Sequence, residues 1–141
     1  QQPAKQEDTP TLAGLHLLLA EDNELNSEIA VTLLEAEGAE VTAVTNGREA
    51  VEAIQHAAPH TYDAVLMDVM MPEMNGLEAT RCIRAFEGVG PDEGTPIIAM
   101  TANVFADDVR ACLESGMNSH VGKPLDMRIL MREILKCTHR S

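Results

Sequence analysis

Short apolar runs alternate along this chain with longer stretches in which apolar residues recur every three or four positions. Runs of the first kind predict strands, and stretches of the second kind predict helices. Residues 15–20 are the first run, broken by His16, and 23–37 follow with Leu25, Ile29, Leu33 and Leu34 on one predicted helical stripe ending at Gly38. Residues 40–44 are a short second strand. Asn46 with Glu49 three positions on resembles a capping box that opens a helix over 47–57, stopped before Pro59. Residues 63–68 make the third strand, and Asn75 with Glu78 repeats the cap for a helix to about Phe86. Residues 96–101 are the fourth strand, Phe105, Val109 and Leu113 mark the fourth helix, and 119–123 are the fifth strand. Asp126 caps a last helix carrying Met127, Leu130, Ile134 and Leu135.

Five such β/α pairs, with short and mostly apolar strands, call for an α/β fold: a doubly wound parallel sheet covered on both faces. Right-handed crossovers leave few topologies, and the flavodoxin-like (βα)5 order 2-1-3-4-5 is the expected one. Residues 1–13 mix Gln, Pro, Thr and charge without apolar period and read as a linker or arm, leaving 14–141 as the folded domain. The missing initiator Met fits a piece of a longer protein, with the arm as a tether to something upstream.

Composition narrows the function classes. Ten basic residues stand against 23 acidic ones, a formal charge of −13, and there are two Phe, one Tyr and no Trp. That surface repels phosphate backbones and offers no stacking platform, so direct nucleic-acid binding is not expected. No apolar run approaches the roughly 18 residues of a membrane span, and no secretory signal opens the chain, so a cytoplasmic segment is expected. Cys82, Cys112 and Cys137 are odd in number, lack metal-ligand spacing and read as reduced thiols. The Gly-containing stretch 88–94 has no Lys-Ser/Thr sequel and is no P-loop. Met67, Met70, Met71 and Met74 are read as packing residues, not soft-metal ligands.

In an open α/β sheet, ligands bind beyond the carboxyl ends of the strands. Those ends hold Glu21 and Asp22, Asp68, Thr101 and Lys123. Clustered carboxylates repel one another unless a cation intervenes, and Mg²⁺ binds through one or two carboxylates, water and phosphate oxygens. Asp22 and Asp68 are candidate direct ligands, with Glu21 holding a metal-bound water. Asp68 is the candidate nucleophile for a phosphoryl group, Lys123 a second cation on its oxygens, and Thr101 a hydroxyl donor.

The segments Leu18-Leu19-Ala20-Glu21-Asp22-Asn23, Leu66-Met67-Asp68-Val69-Met70-Met71-Pro72, Ile97-Ile98-Ala99-Met100-Thr101-Ala102-Asn103 and Gly122-Lys123-Pro124 resemble, in order, four signatures of the response regulator receiver family. The resemblance covers residues 14 to about 137. Asn26 and Met74-Asn75-Gly76-Leu77-Glu78 are most similar to receivers fused to hybrid sensor histidine kinases. It implies a Mg²⁺-dependent phosphoacceptor at Asp68, with Mn²⁺ an alternative ion, the Met70 main-chain carbonyl as a further ligand, and a cis bond at Lys123–Pro124. It implies a switch in which Thr101 moves to the phosphoryl group and the strand-5 residue His120, where Tyr or Phe is commoner, follows. Its partners would be a kinase phosphohistidine and a histidine phosphotransfer domain, and the parent protein could be membrane-anchored.

Other readings carry their own marks. A freestanding response regulator would share every site residue; the arm favours the fused form, and a chain ending soon after its fifth helix is expected to carry no DNA-binding output. An aspartate-nucleophile phosphatase, a true turnover enzyme, places a second Asp two residues after the first, where this chain has Met70. A docking-only pseudo-receiver is disfavoured by the presence of all five polar site residues. Met70 also offers no hydrogen bond to an attacking water, which predicts a long-lived acyl phosphate.

Overall fold

The computed structural model describes residues 12–58, 61–69, 71, 74–90, 93–101, 106–123 and 126–138. The readings placed on the arm to residue 11, on Met70, on Phe105 and on the Lys123–Pro124 bond lie outside these residues.

Five parallel strands, β1 (His16–Ala20), β2 (Glu40–Val44), β3 (Ala64–Asp68), β4 (Ile97–Thr101) and β5 (Ser119–Gly122), pair in the order β2-β1-β3-β4-β5. Helices α1 (Glu24–Ala36), α2 (Gly47–His56), α3 (Gly76–Glu87), α4 (Ala106–Ser115) and α5 (Met127–Cys137) fill the crossovers. The expected flavodoxin-like order is the order found. β3 and β4 are buried at every position, as central parallel strands require, whereas the edge strand β2 is half exposed.

Alternation along the strands divides the core in two. Leu17, Leu19, Leu66, Ile98, Met100 and Val121 pack with Ala30 and Leu34 of α1 and Leu130, Ile134 and Leu135 of α5. Leu18, Val65, Met67, Ile97 and Ala99 pack on the other face with α2, α3 and Cys112 of α4. Leu12 is fully buried in the first cluster and donates its N–H to the Glu37 carbonyl at 3.0 Å, so packing begins upstream of Gly14.

Two helices differ from the stripes expected of them. On α1 only Leu34 of the four named residues points inward; Leu25, Ile29 and Leu33 are 65%, 50% and 38% exposed. The inward positions are Ala30 and Leu34, one residue step, or about 100°, around from Ile29 and Leu33. On α4 Cys112 and Ser115 are buried, while Leu113 is 49% exposed. The Asn75 cap is a full capping box: its side chain accepts the Glu78 N–H while Glu78 accepts the Asn75 N–H. At Asn46 only half forms, because Glu49 turns to the N–H and hydroxyl of Thr45 instead.

Candidate functional site

Parallel pairing puts every strand's carboxyl end at one edge. Asp68 is the last residue of β3 and Thr101 the last of β4, 4% and 6% exposed. Glu21 follows β1 directly, 4% exposed, and its N–H donates to the Val44 carbonyl at 3.1 Å, which ties it to the end of β2. Asp22 lies beside it, exposed to solvent. Lys123 follows β5, and its N–H donates to the Thr101 carbonyl at 2.9 Å.

The side chains converge. Lys123 Nζ donates to Asp68 Oδ2 at 2.7 Å and to Glu21 Oε1 at 3.1 Å, so one ammonium bridges two buried carboxylates across the sheet. Glu21 Oε2 accepts the Asn23 N–H at 3.1 Å, which fixes the other oxygen. Burial would raise the Glu21 carboxyl above its usual range; the Asn23 N–H pulls it back, Asp68 pushes it up again and Lys123 opposes, and the balance lies above 4.5. For Lys123 burial alone would lower the ammonium, but Asp68 and Glu21 outweigh it and leave it above 10.5.

One carboxylate oxygen from each of Glu21, Asp22 and Asp68 lies within 4.8 Å of the others. Three hard oxygen donors at that spacing suit a divalent cation, held directly or through a retained water. Soft-metal ligands are absent from this cluster, since none of its members is Cys or His.

The expected residues therefore divide by place. Glu21, Asp22, Asp68 and Lys123 form one cluster, and Thr101 stands at the same strand-end edge. His120 lies in β5 opposite Ala99, three positions back from Lys123. Because Val121 belongs to the α1/α5 face and Ile97 and Ala99 to the other, alternation places Thr101 and His120 on the same face of the sheet. Three backbone features escaped the sequence reading: the Asn23 N–H, and the close approaches at Gly47 and Gly76, which follow the two capping asparagines. The repeated Asn-Gly-x-Glu pattern at 46–49 and 75–78 was the available signal.

The model of the response regulator receiver domain family matches residues 17–135. The sensor protein GacS of Pseudomonas syringae pv. syringae is 44% identical over 122 residues, covering 86% of this chain and 13% of that protein. The hybrid signal transduction histidine kinase L of Dictyostelium discoideum is 35% identical over 132 residues, 94% of this chain and 8% of its own length. The chain thus spans a small fraction of these relatives. Among solved structures, the receiver domain of the Pseudomonas aeruginosa sensor histidine kinase PA1611, with a magnesium ion coordinated in its active site cleft, is 36% identical with a TM-score of 0.77. The match covers 90% of this chain and 99% of that one. A co-crystal structure of the Saccharomyces cerevisiae histidine phosphotransfer protein Ypd1 and the receiver domain of its downstream response regulator Ssk1 matches at 28% identity, with a TM-score of 0.79 and coverage of 92% and 90%. On the match to residues 17–135 and the shared five-stranded fold, the chain belongs to the response regulator receiver domain family.

Proposed function

We propose that this chain accepts a phosphoryl group on Asp68 from a kinase phosphohistidine and then switches or passes it to a histidine phosphotransfer domain. The observation that carries this reading is the pairing of a buried carboxylate, Asp68, with an ammonium 2.7 Å away and two further carboxylates within 4.8 Å. An Asp68 carboxylate oxygen attacks phosphorus, the P–N bond breaks, and its electron pair leaves on the ring nitrogen that held phosphorus; the other ring nitrogen carries a proton, so the histidine departs as neutral imidazole. Lys123 then turns from the carboxylate to the incoming phosphoryl oxygens, and the Thr101 hydroxyl donates to another. Mg²⁺, or Mn²⁺, held by Asp22 and Asp68 with Glu21 acting through a water, would neutralise phosphoryl charge when bound. The Met70 carbonyl, as a further ligand, and a cis Lys123–Pro124 bond aiming the lysine belong to this reading through the family resemblance. So does a switch of Thr101 and His120, which their common sheet face supports.

The parent is proposed to be a hybrid histidine kinase, because relatives many times longer than this chain carry the matching segment. A phosphohistidine charged from ATP puts the exchange in the cytoplasm, and the parent can still be anchored in a membrane. Among the described residues no helix is long and apolar enough to cross one. The arm to residue 13 would then tether the domain to its kinase. Incubation with acetyl phosphate and Mg²⁺ followed by intact-protein mass spectrometry tests the chemistry. One added phosphoryl group is expected on the wild type and none on Asp68→Ala; equal labelling of both would refute Asp68 as acceptor.

A further inference from the structure

The chain leaving Asp68 is fastened at both ends by glycine backbone. Gly76, the first residue of α3, donates its N–H to the Val69 carbonyl at 3.0 Å, and a Cβ there would stand 2.4 Å from the Asp68 carbonyl oxygen and 2.9 Å from Met67 Cγ. Gly47, the first residue of α2 and far away in sequence, donates its N–H to the Met74 carbonyl at 2.9 Å. A Cβ at Gly47 would stand 2.3 Å from that same oxygen, where real Cβ atoms essentially never come within 3.0 Å. Its obstacle is backbone and not a side chain that can swing aside. Both glycines are buried. The approach is needed for neither helix by itself, since alanine is the better helix former at an ordinary position.

We propose that Gly47 is a positioning residue for phosphoryl transfer: having no side chain, it lets the Met74 carbonyl dock on its N–H, and that dock holds the chain leaving Asp68 where the reaction needs it. The inference rests on Asp68 as phosphoacceptor. Met74 leads through Asn75 to Gly76, whose N–H is bonded to the Val69 carbonyl next to Asp68, so displacing Met74 is transmitted to the backbone that carries the nucleophile. Misplacement on the ångström scale is costly in a reaction that depends on in-line approach.

The test compares the rate of acyl-phosphate formation per folded molecule at saturating acetyl phosphate and Mg²⁺ in wild type, Gly47→Ala and Gly116→Ala. Gly116 has φ 111° and a Cβ there would meet Arg84 Cγ at 2.9 Å, so its substitution strains the fold near the start of β5, away from the site. Gly47→Ala is expected to slow the reaction by about tenfold or more, with Gly116→Ala within about twofold of wild type at a similar loss of melting temperature. Gly47→Ala at the wild-type rate overturns the inference, and so does an equal slowing in Gly116→Ala, which would make the loss one of stability. Should Gly47→Ala fail to fold, the Gly47 amide resonance of wild type decides: it is expected to shift on phosphorylation, and an unmoved signal overturns the dock. A wild type that takes no label removes the phosphoacceptor reading itself and this inference with it; a labelled wild type matched by Gly47→Ala removes only the role of Gly47.

Discussion

Lys123 holds two carboxylates that burial would otherwise leave facing each other, so its removal has two separable effects. Lys123→Met leaves Asp68 and Glu21 desolvated without their ammonium, a loss on the order of 1–3 kcal/mol, read as a lower melting temperature. Millimolar Mg²⁺ is expected to recover much of it by binding the folded form alone, whereas labelling by acetyl phosphate stays at least about tenfold below wild type because a cation on the phosphoryl oxygens is gone. A variant whose deficit ignores Mg²⁺ would argue against a cation site here. The sign of the pH dependence follows from the ammonium being raised above 10.5 in the fold. Its contribution is fully present below 10.5, the unfolded value, and is lost as pH rises through the higher folded value. The stability gap between wild type and Lys123→Met should therefore hold at neutral pH and close only above about 10.5.

At the scale of elements, α1 departs most from its sequence pattern. Leu25, Ile29 and Leu33 recur every fourth residue, and periodicity alone gives them to the core; the structure gives the core Ala30 and Leu34 and leaves the leucine-rich stripe in water. Hydrophobic period reports that a helix has an apolar face, not which neighbour covers it. The stripe begins three residues after Asp22, and under the proposed function it would be the apolar face that a histidine phosphotransfer domain meets. Ile29→Asp is expected to cut phosphoryl exchange with a histidine phosphotransfer domain by about tenfold or more, as loss of a central apolar contact does. Labelling by acetyl phosphate should be unchanged, because that donor needs no docking surface. If both rates fall together, α1 is not the docking face. The strand-end residues were legible for the opposite reason: in a parallel sheet of known order, an apolar run states where its last residue lies, so Glu21, Asp68, Thr101 and Lys123 could be placed without side-chain detail. Close backbone approaches were not legible, since Gly47 and Gly76 look in sequence like residues that merely follow a cap.

Across the whole molecule, the carboxylate cluster and the Arg84 network occupy opposite ends of the sheet. Away from the carboxylate cluster, Arg84 of α3 donates to the Gly116 and Thr95 carbonyls, both at 2.9 Å, to Asn118 Oδ1 at 2.8 Å and to Glu87 Oε1 at 2.9 Å. It thereby ties the end of α3 to the residues preceding β4 and β5. Burial lowers this guanidinium below its usual range, and Glu87 opposes only part of the shift. Arg84→Ala removes a shared donor from four partly buried acceptors and is expected to cost about 1–3 kcal/mol, seen in denaturant unfolding, with the labelling rate of the folded fraction unaltered. A slower rate in that fraction would show that the two ends communicate. The bridge from Lys123 to Glu21 joins residues 102 positions apart, from the fifth strand to the first. A nascent chain still on the ribosome, lacking that last strand, has no ammonium beside its aspartate, so under the proposed function competence to react would arrive only when synthesis has delivered the fifth β/α unit and the domain has closed.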